Sequence, residues 1–369
     1  MSVCVGRHIA NPAAAEIAPR TPLAKVVSLF GLTGQCEDMR LLVLGGTHHV
    51  GRAVVEVALQ RGDDVTTLNR GLTGVRSAGA RELRADRTEP GQLAAALGDQ
   101  TWDAVIDTWS LAPRVVKESA ELLRDRVGHY GYVSSRSVYG WPIPAGLDES
   151  CPTVDARSDD ESSDDYATAK RGSELAVIEA FDNRALIARA GLILGPYEDS
   201  GRLVWWLRRV ERAGDVLAPG PKSRPLQLID ARDLAQWMLA GADRHLAGVF
   251  NAVSQPGHTT MGELLESCID VVASNARLVW VEPAVIEQAG IEPWTELPIW
   301  LPPTGEAVGL HDGDVSAAFA QGLFCRRIAD TVASTWEWLQ LEGDPESDGS
   351  DPDPGLDAVR EAEVLAGLS

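Results

Sequence analysis

Between Arg40 and Ala190, short apolar runs alternate with longer stretches whose apolar residues recur at helical spacing. Leu41–Leu44, Asp64–Leu68, Arg81–Ala85, Asp103–Ile106, Tyr130–Ser134 and Ala185–Ala190 read as strands. Val50–Gln60, Pro90–Leu97, Arg114–Arg126 and Tyr166–Phe181 read as helices. A chain that passes through a helix before returning to the sheet lays its strands parallel, because a crossover of that length is needed to bring the next strand back in the same direction. The pattern predicts a parallel sheet with helices on both faces. No internal repeat at a solenoid period is present. After Gly195-Pro196 the alternation breaks up, prolines become common, and eight tryptophans fall between Trp205 and Trp338. This half is expected to form a smaller lobe. Its indoles fill a second core, or one or two of them line a substrate pocket.

The first strand runs into Gly45-Gly46-Thr47-His48-His49-Val50-Gly51 and then a helix. A backbone without Cβ can turn tightly and let a pyrophosphate approach, and the following helix N-terminus supplies free N–H groups and a positive dipole end. Gly51 would allow the helix to pack closely on the strand. The expected cofactor-binding set is Gly45, Gly46, Thr47, His48, Val50 and Gly51 in this turn, with Asn69, Arg70, Asp86 and Thr108 at the ends of later strands. The second strand ends in Asn69-Arg70 rather than in a carboxylate. An acid there would bind the ribose hydroxyls of NAD, whereas a base accommodates the 2′-phosphate of NADP. NADP is therefore favoured over NAD, with Arg70, and His48 beside it, as phosphate contacts. Asp86 is placed to accept a hydrogen bond from the adenine amino group.

Tyr166 and Lys170 stand four residues apart at the start of a predicted helix, on one face. Five tyrosines and four lysines in 369 residues give roughly 0.05 such pairs by chance. Acid–base work by a phenol near neutral pH requires its anion to be stabilised by about 2–3 pKa units, and a neighbouring ammonium has the right sign. Ser135, at a strand end in Val133-Ser134-Ser135-Arg136-Ser137-Val138-Tyr139-Gly140, can hydrogen-bond a substrate oxygen.

Together with Arg189-Ala190-Gly191-Leu192-Ile193-Leu194-Gly195-Pro196 and Ile229-Asp230-Ala231-Arg232-Asp233-Leu234-Ala235, these motifs resemble the extended, atypical short-chain dehydrogenases/reductases of the NAD-dependent epimerase/dehydratase family. The resemblance spans about residues 39–340. It implies a Rossmann-type doubly wound parallel sheet with a smaller C-terminal substrate-binding lobe, and hydride transfer at a carbinol or carbonyl carbon. It also implies Tyr166 as the acid/base, Lys170 tuning it and holding the nicotinamide ribose, and Ser135 orienting the substrate. Counting four back from Tyr139 selects Ser135 over Ser134.

His48 replaces the family's middle glycine and Ala190 its usual proline. Leu192 stands where sugar-nucleotide enzymes carry an asparagine, and Arg224 lies two residues ahead of the expected arginine. Loss of that asparagine favours a net reductase, or an epimerase acting on something other than a UDP-sugar, over a nucleotide-sugar epimerase. The alternative is a non-catalytic NADP-binding sensor or scaffold on the same fold, for which the Tyr166/Lys170 pair would be superfluous.

The expected organisation is a loosely ordered extension over residues 1–38, an NAD(P)-binding Rossmann domain over 39–194, and a lobe over 195–341 with elements returning to the first domain. An acidic tail over 342–369 follows: a solvated linker over 343–355, then a short helix over 356–365, together a solubilising appendage. The net charge is −21, of which −7 lies in residues 148–165 and −8 in 342–363. That balance argues against a nucleic-acid or anionic-membrane surface, so the expected partner is a small-molecule substrate. The 148–165 segment is either a solvated loop or a barrier to anionic substrates at the site mouth. Cys4, Cys36, Cys151, Cys268 and Cys325 form no C-x-x-C, and metal-site spacing is absent. A reduced, cytoplasmic protein is expected. The family's common homodimer would pair helices near 114–126 and 166–181.

Overall fold

A computed structural model describes residues 38–72, 77–162, 164–345 and 354–368. The expected extension over 1–38 lies, except for Asp38, outside the described residues. The strands are β1 (Arg40–Leu44), β2 (Asp64–Asn69), β3 (Arg81–Arg84), β4 (Trp102–Asp107), β5 (Val127–Ser135), β6 (Ala185–Ala190), β7 (Leu192–Leu194), β8 (Asp215–Pro219), β9 (Pro225–Leu226), β10 (Leu228–Asp230), β11 (Gly248–Ala252), β12 (Thr259–Thr260) and β13 (Arg277–Val281). The helices are α1 (His49–Arg61), α2 (Gln92–Leu97), α3 (Pro113–Leu123), α4 (Tyr166–Phe181), α5 (Arg202–Glu211), α6 (Ala231–Asp243), α7 (Met261–Val272), α8 (Pro283–Gln288), α9 (Ser316–Ala320), α10 (Ile328–Glu342) and α11 (Ala358–Gly367).

Seven strands form one parallel sheet in the order β11-β6-β5-β4-β1-β2-β3, the Rossmann-type doubly wound arrangement. Successive residues of β1 serve opposite faces. Leu41 and Val43 pack with α1 and α6, whereas Leu42 and Leu44 pack with α2, α3 and α4. Both faces are apolar, which is why this strand reads as a continuous hydrophobic run. β11 and α6 come from beyond residue 195 and return to the sheet domain.

The lobe has its own core, built on the parallel pair β8–β13 and on α5, α7 and α10. Trp206 and Trp300 are fully buried in it. Their indole N–H groups donate to the carbonyls of Pro298 and Gly220, at 2.8 and 3.0 Å. Trp237 packs instead in the sheet-side core, against Phe250.

Residues 346–353 of the expected linker lie outside the described residues, while the described parts of the acidic tail on either side are paired with the rest of the chain. Glu342 ends α10 and pairs with Arg52 of α1 at 2.8 Å. α11 docks on the lobe: its Glu361 is buried, meets Arg209 of α5 at 2.6 Å and accepts from the Leu217 N–H of β8 at 2.9 Å. Arg360 reaches the carbonyls of Ala289 and Gly290. A run of carboxylates reads as solvated because its cationic partners lie far away in sequence. Glu361→Ala leaves Arg209 buried without an acid and is expected to cost about 3 kcal/mol of stability, read as a lower urea midpoint at unchanged slope.

The 148–165 segment is anchored at several points, while Asp159, Glu161, Asp164 and Asp165 stay exposed. Asp148 caps Ser150, Glu149 accepts from the Asn251 N–H, and the Asp160 carbonyl accepts from the Arg114 N–H on the outer side of α3. Asp165 accepts from the Thr168 N–H at 2.7 Å and so starts α4. Among the described residues, no helix is long and apolar enough to cross a membrane, and Cys151, Cys268 and Cys325 are free.

Candidate active site

The carboxyl ends of β1, β2, β4 and β5 carry the glycine turn, Asn69 and Arg70, Thr108, and Ser135, and Asp86 follows β3 at the sheet edge. Gly45 and Gly46 follow β1 with φ of 121° and 100°, a region open to glycine at little cost. A Cβ on Gly45 would stand 2.6 Å from the Thr108 hydroxyl oxygen, and one on Gly51 would stand 2.6 Å from the Gly46 nitrogen. The turn is therefore a cradle closed by α1, with Thr108 as its floor; Thr108 also donates to the Leu44 carbonyl at 3.3 Å. His48 is the exposed N-cap of α1 and makes no side-chain cap hydrogen bond, leaving the helix N-terminus open to an anion. Thr47 is half-buried in the turn and Val50 is buried beneath it.

At the end of β2 the Asn69 side chain accepts from the Gly71 N–H at 2.8 Å, and Arg70 stands exposed beside it. Arg84, at the end of β3, lies where a Cβ on Gly71 would come within 3.1 Å of its Nε. Two guanidiniums thus flank this corner, that of Arg84 paired with Glu82 at 3.2 Å. Asp86 accepts from both the N–H and the hydroxyl of Thr88, which holds its carboxyl below the usual range.

Ser134 and Ser135 have different fates. The Ser134 hydroxyl donates to Glu174 at 2.7 Å inside a buried cluster that also holds Arg189 and Arg171. Ser135 ends β5, accepts from the Ser137 N–H at 3.1 Å, donates to the Ser137 hydroxyl at 3.1 Å, and lies close enough to Tyr166 to favour its phenolate. Ser135, not Ser134, faces Tyr166.

Tyr166 opens α4 with half of its surface exposed. Burial of its hydroxyl end pushes the phenol above its ordinary pKa, opposed by Ser135 and by the charge of Arg202. Lys170 is buried one turn later, 5.9 Å from the Tyr166 ring centroid, and donates to the carbonyls of Trp109 at 2.8 Å and Val133 at 2.7 Å. Desolvation pushes it down to about 7. The ammonium is positioned by backbone acceptors, and a further positive charge is needed to draw the phenol down to neutral pH.

Several residues around this centre were not legible in sequence. Asp107, at the end of β4, takes both arms of buried Arg87, the Tyr130 hydroxyl and the Trp109 N–H. Through Trp109 this cluster fixes the carbonyl that holds Lys170. Glu198, fully buried, accepts from Ser200 and from the first N–H groups of α5, and lies within electrostatic reach of His49. An aspartate directly before a helix is a readable cap signal, which would have found Asp165. Nothing local announces Arg87 or Glu198.

The family model described as NAD dependent epimerase/dehydratase family matches residues 41–252. The chain belongs to this family. Solved structures with the same fold include a Bordetella bronchiseptica enzyme, WbmH, in complex with NAD+, at 17% identity and a TM-score of 0.63, covering 84% of this chain and 100% of the other. A Thermotoga maritima UDP-glucose 4-epimerase with UDP-glucose is 15% identical, with a TM-score of 0.59 over 82% of this chain and 99% of its own. A Bacillus cereus UDP-glucuronic acid 4-epimerase in complex with NAD is 13% identical, with a TM-score of 0.57 over 83% and 100%. No curated protein sequence matches. For a family member, the glycine cradle and the Ser135–Tyr166–Lys170 cluster occupy the carboxyl edge of the sheet, where open α/β sheets bind their ligands.

Proposed function

We propose that the protein is a nicotinamide-dependent oxidoreductase acting at a carbinol or carbonyl carbon, a net reductase using NADP. The observation that carries this reading is the convergence of Ser135, Tyr166 and Lys170 beside a glycine cradle that a Cβ would fill. The cofactor, when bound, supplies the hydride and, in its oxidised form, a positive ring. The cradle of Gly45, Gly46 and Gly51 and the uncapped α1 N-terminus would receive its pyrophosphate, and Thr108 would lie beneath it. Lys170 would hold the ribose. Its position between two backbone carbonyls limits the directions left to its remaining N–H.

Ser135 orients the substrate oxygen. Tyr166 holds its proton, since burial raises its pKa, and a protonated phenol is the form able to give that proton to a carbonyl being reduced. Solved neighbours that bind NAD or UDP-sugars share the fold, while Leu192 here lacks the amide that a sugar nucleotide would use.

Arg70 and Arg84 at the corner after β2 and β3 support NADP. Parallel fluorescence titrations are expected to show NADPH binding at least about tenfold tighter than NADH, with Arg70→Ser closing most of the gap. Tighter binding of NADH would remove the preference. Stoichiometric consumption of NADPH by a carbonyl substrate separates a reductase from an epimerase, which returns its cofactor each cycle.

A further inference from the structure

The C-terminal segment grips the lobe at two neighbouring elements. Pro354 packs on Gly201, where a Cβ would stand 3.3 Å from the proline Cγ, and Gly201 is the residue before Arg202 at the start of α5. Gly355 lies so close to Trp205 of α5 that a Cβ on it would come within 1.7 Å of the indole nitrogen. Its N–H donates to the Thr295 carbonyl at 2.7 Å, and Arg360 pairs with Glu296. Leu356, next to Gly355, is buried in the lobe core. The same few residues thus hold the first turn of α5 and the loop after α8.

Arg202 sits where those two elements meet. Its guanidinium stands over the Trp294 ring, 4.9 Å from the centroid, and its backbone N–H donates to buried Glu198 at 2.9 Å. Trp294 has φ of 71°, a costly backbone for a residue with a side chain, and such a conformation persists where the surroundings impose it. Thr295 and Glu296, the residues that the C-terminal segment grips, follow it directly. Arg202 also acts on the phenol at the sheet edge. The groups facing Tyr166 are Ser135 and Tyr132 of β5, Lys170 one turn along α4, and Asp199 and Arg202 at the approach to α5. Arg202 favours the phenolate, whereas Asp199 opposes it.

We propose that residues 354–361 are a strap that seats Arg202 beside Tyr166, so that docking or release of the C-terminal segment adjusts the acid–base centre. The inference rests on Tyr166 being the acid/base of the proposed reaction. It deepens that reading by making Arg202 a positioning residue and by giving the tail a part in regulating the site.

The test uses the full-length chain with its five tyrosines replaced by 3-fluorotyrosine, whose more acidic phenol titrates while the protein stays folded. The fluorine resonance missing from Tyr166→Phe reports on Tyr166. Gly355→Ala puts a Cβ against Trp205 at φ of 120° and is expected to release the segment, read as about tenfold faster amide hydrogen exchange in α11. In Gly355→Ala and in Arg202→Met, Tyr166 is expected to ionise at higher pH than in wild type, because a positive charge that favours its anion is withdrawn. Arg202→Lys keeps the charge and titrates closer to wild type. Combining Gly355→Ala with Arg202→Met is expected to shift Tyr166 no further than Arg202→Met alone, since both act through one charge. Unchanged exchange in Gly355→Ala, release without a Tyr166 shift, no shift in Arg202→Met, or additive shifts in the double variant would overturn the proposal. The titration requires no turnover. A chain that shows the coupled shifts but transfers no hydride would remove the redox reading and leave the strap in place.

Discussion

Tyr166→Phe is expected to lower the reduction rate about a thousandfold while leaving NADPH affinity within about threefold of wild type. The substitution deletes one hydroxyl from a side chain that opens α4 at the carboxyl edge of the sheet, and leaves the glycine cradle untouched. General acid catalysis is worth about 10²–10⁴ in rate, so a smaller loss would mean that the proton comes from elsewhere. The pH profile gives a second measurement. A reduction needs the protonated phenol, and burial raises the Tyr166 pKa above its ordinary value of about 10. The acid form is thus present at neutral pH, and the rate is expected to fall as pH rises through that raised pKa. Oxidation needs the phenolate and is expected to rise over the same range. A sensor or scaffold would show neither dependence, and substitution of Tyr166 would leave its cofactor response unchanged.

Arg87→Leu is expected to destabilise the fold by about 3–5 kcal/mol, the cost of leaving one partner of a buried pair uncompensated. Arg87 meets Asp107 through both arms, at 2.8 and 2.7 Å, and donates to the Ser119 hydroxyl, all out of contact with water. Asp107 is fully buried and, held below the usual carboxylate range chiefly by Arg87 against its own desolvation, stays charged. Without the guanidinium its pKa rises, and part of the loss is relieved by taking up a proton. The stability deficit of the variant is therefore largest at high pH and shrinks as pH falls. The double variant Arg87→Leu/Asp107→Asn should recover part of it, and urea denaturation across pH measures both. Catalysis suffers by a separate route. Asp107 holds the Trp109 N–H at 3.0 Å, and the Trp109 carbonyl accepts from Lys170 and from the Tyr132 hydroxyl. Loss of Arg87 loosens the seat of Lys170. A fall in kcat per folded, cofactor-binding site distinguishes this from partial unfolding, which lowers only the number of such sites.

Much of the fold is legible because its determinants are local. Tyr166–Phe181 and Ala185–Ala190 match the observed α4 and β6 residue for residue, since helical and strand periodicity are written within a few turns. The Arg114–Arg126 helix ends earlier, at Leu123, and β5 begins earlier, at Val127. Both boundaries lie where polar residues carry no periodic signal. The glycine turn is legible for a steric reason: Gly45 and Gly46 adopt a backbone open chiefly to glycine, and Gly51 touches the turn. The acidic tail misled because charge composition says nothing about pairing partners 152 residues apart, as for Glu361 and Arg209.

By itself, then, the sequence determined a parallel Rossmann-type sheet and the place of a glycine cradle, and singled out the serine, tyrosine and lysine at its edge. Each of these follows from spacing within one element or one turn. Only the tertiary structure decided which charges are buried and which are paired. It joined Arg87 to Asp107 and to the carbonyl beneath Lys170, and seated α11 on the lobe. Desolvation depends on what every other element covers, and no local window of residues encodes that.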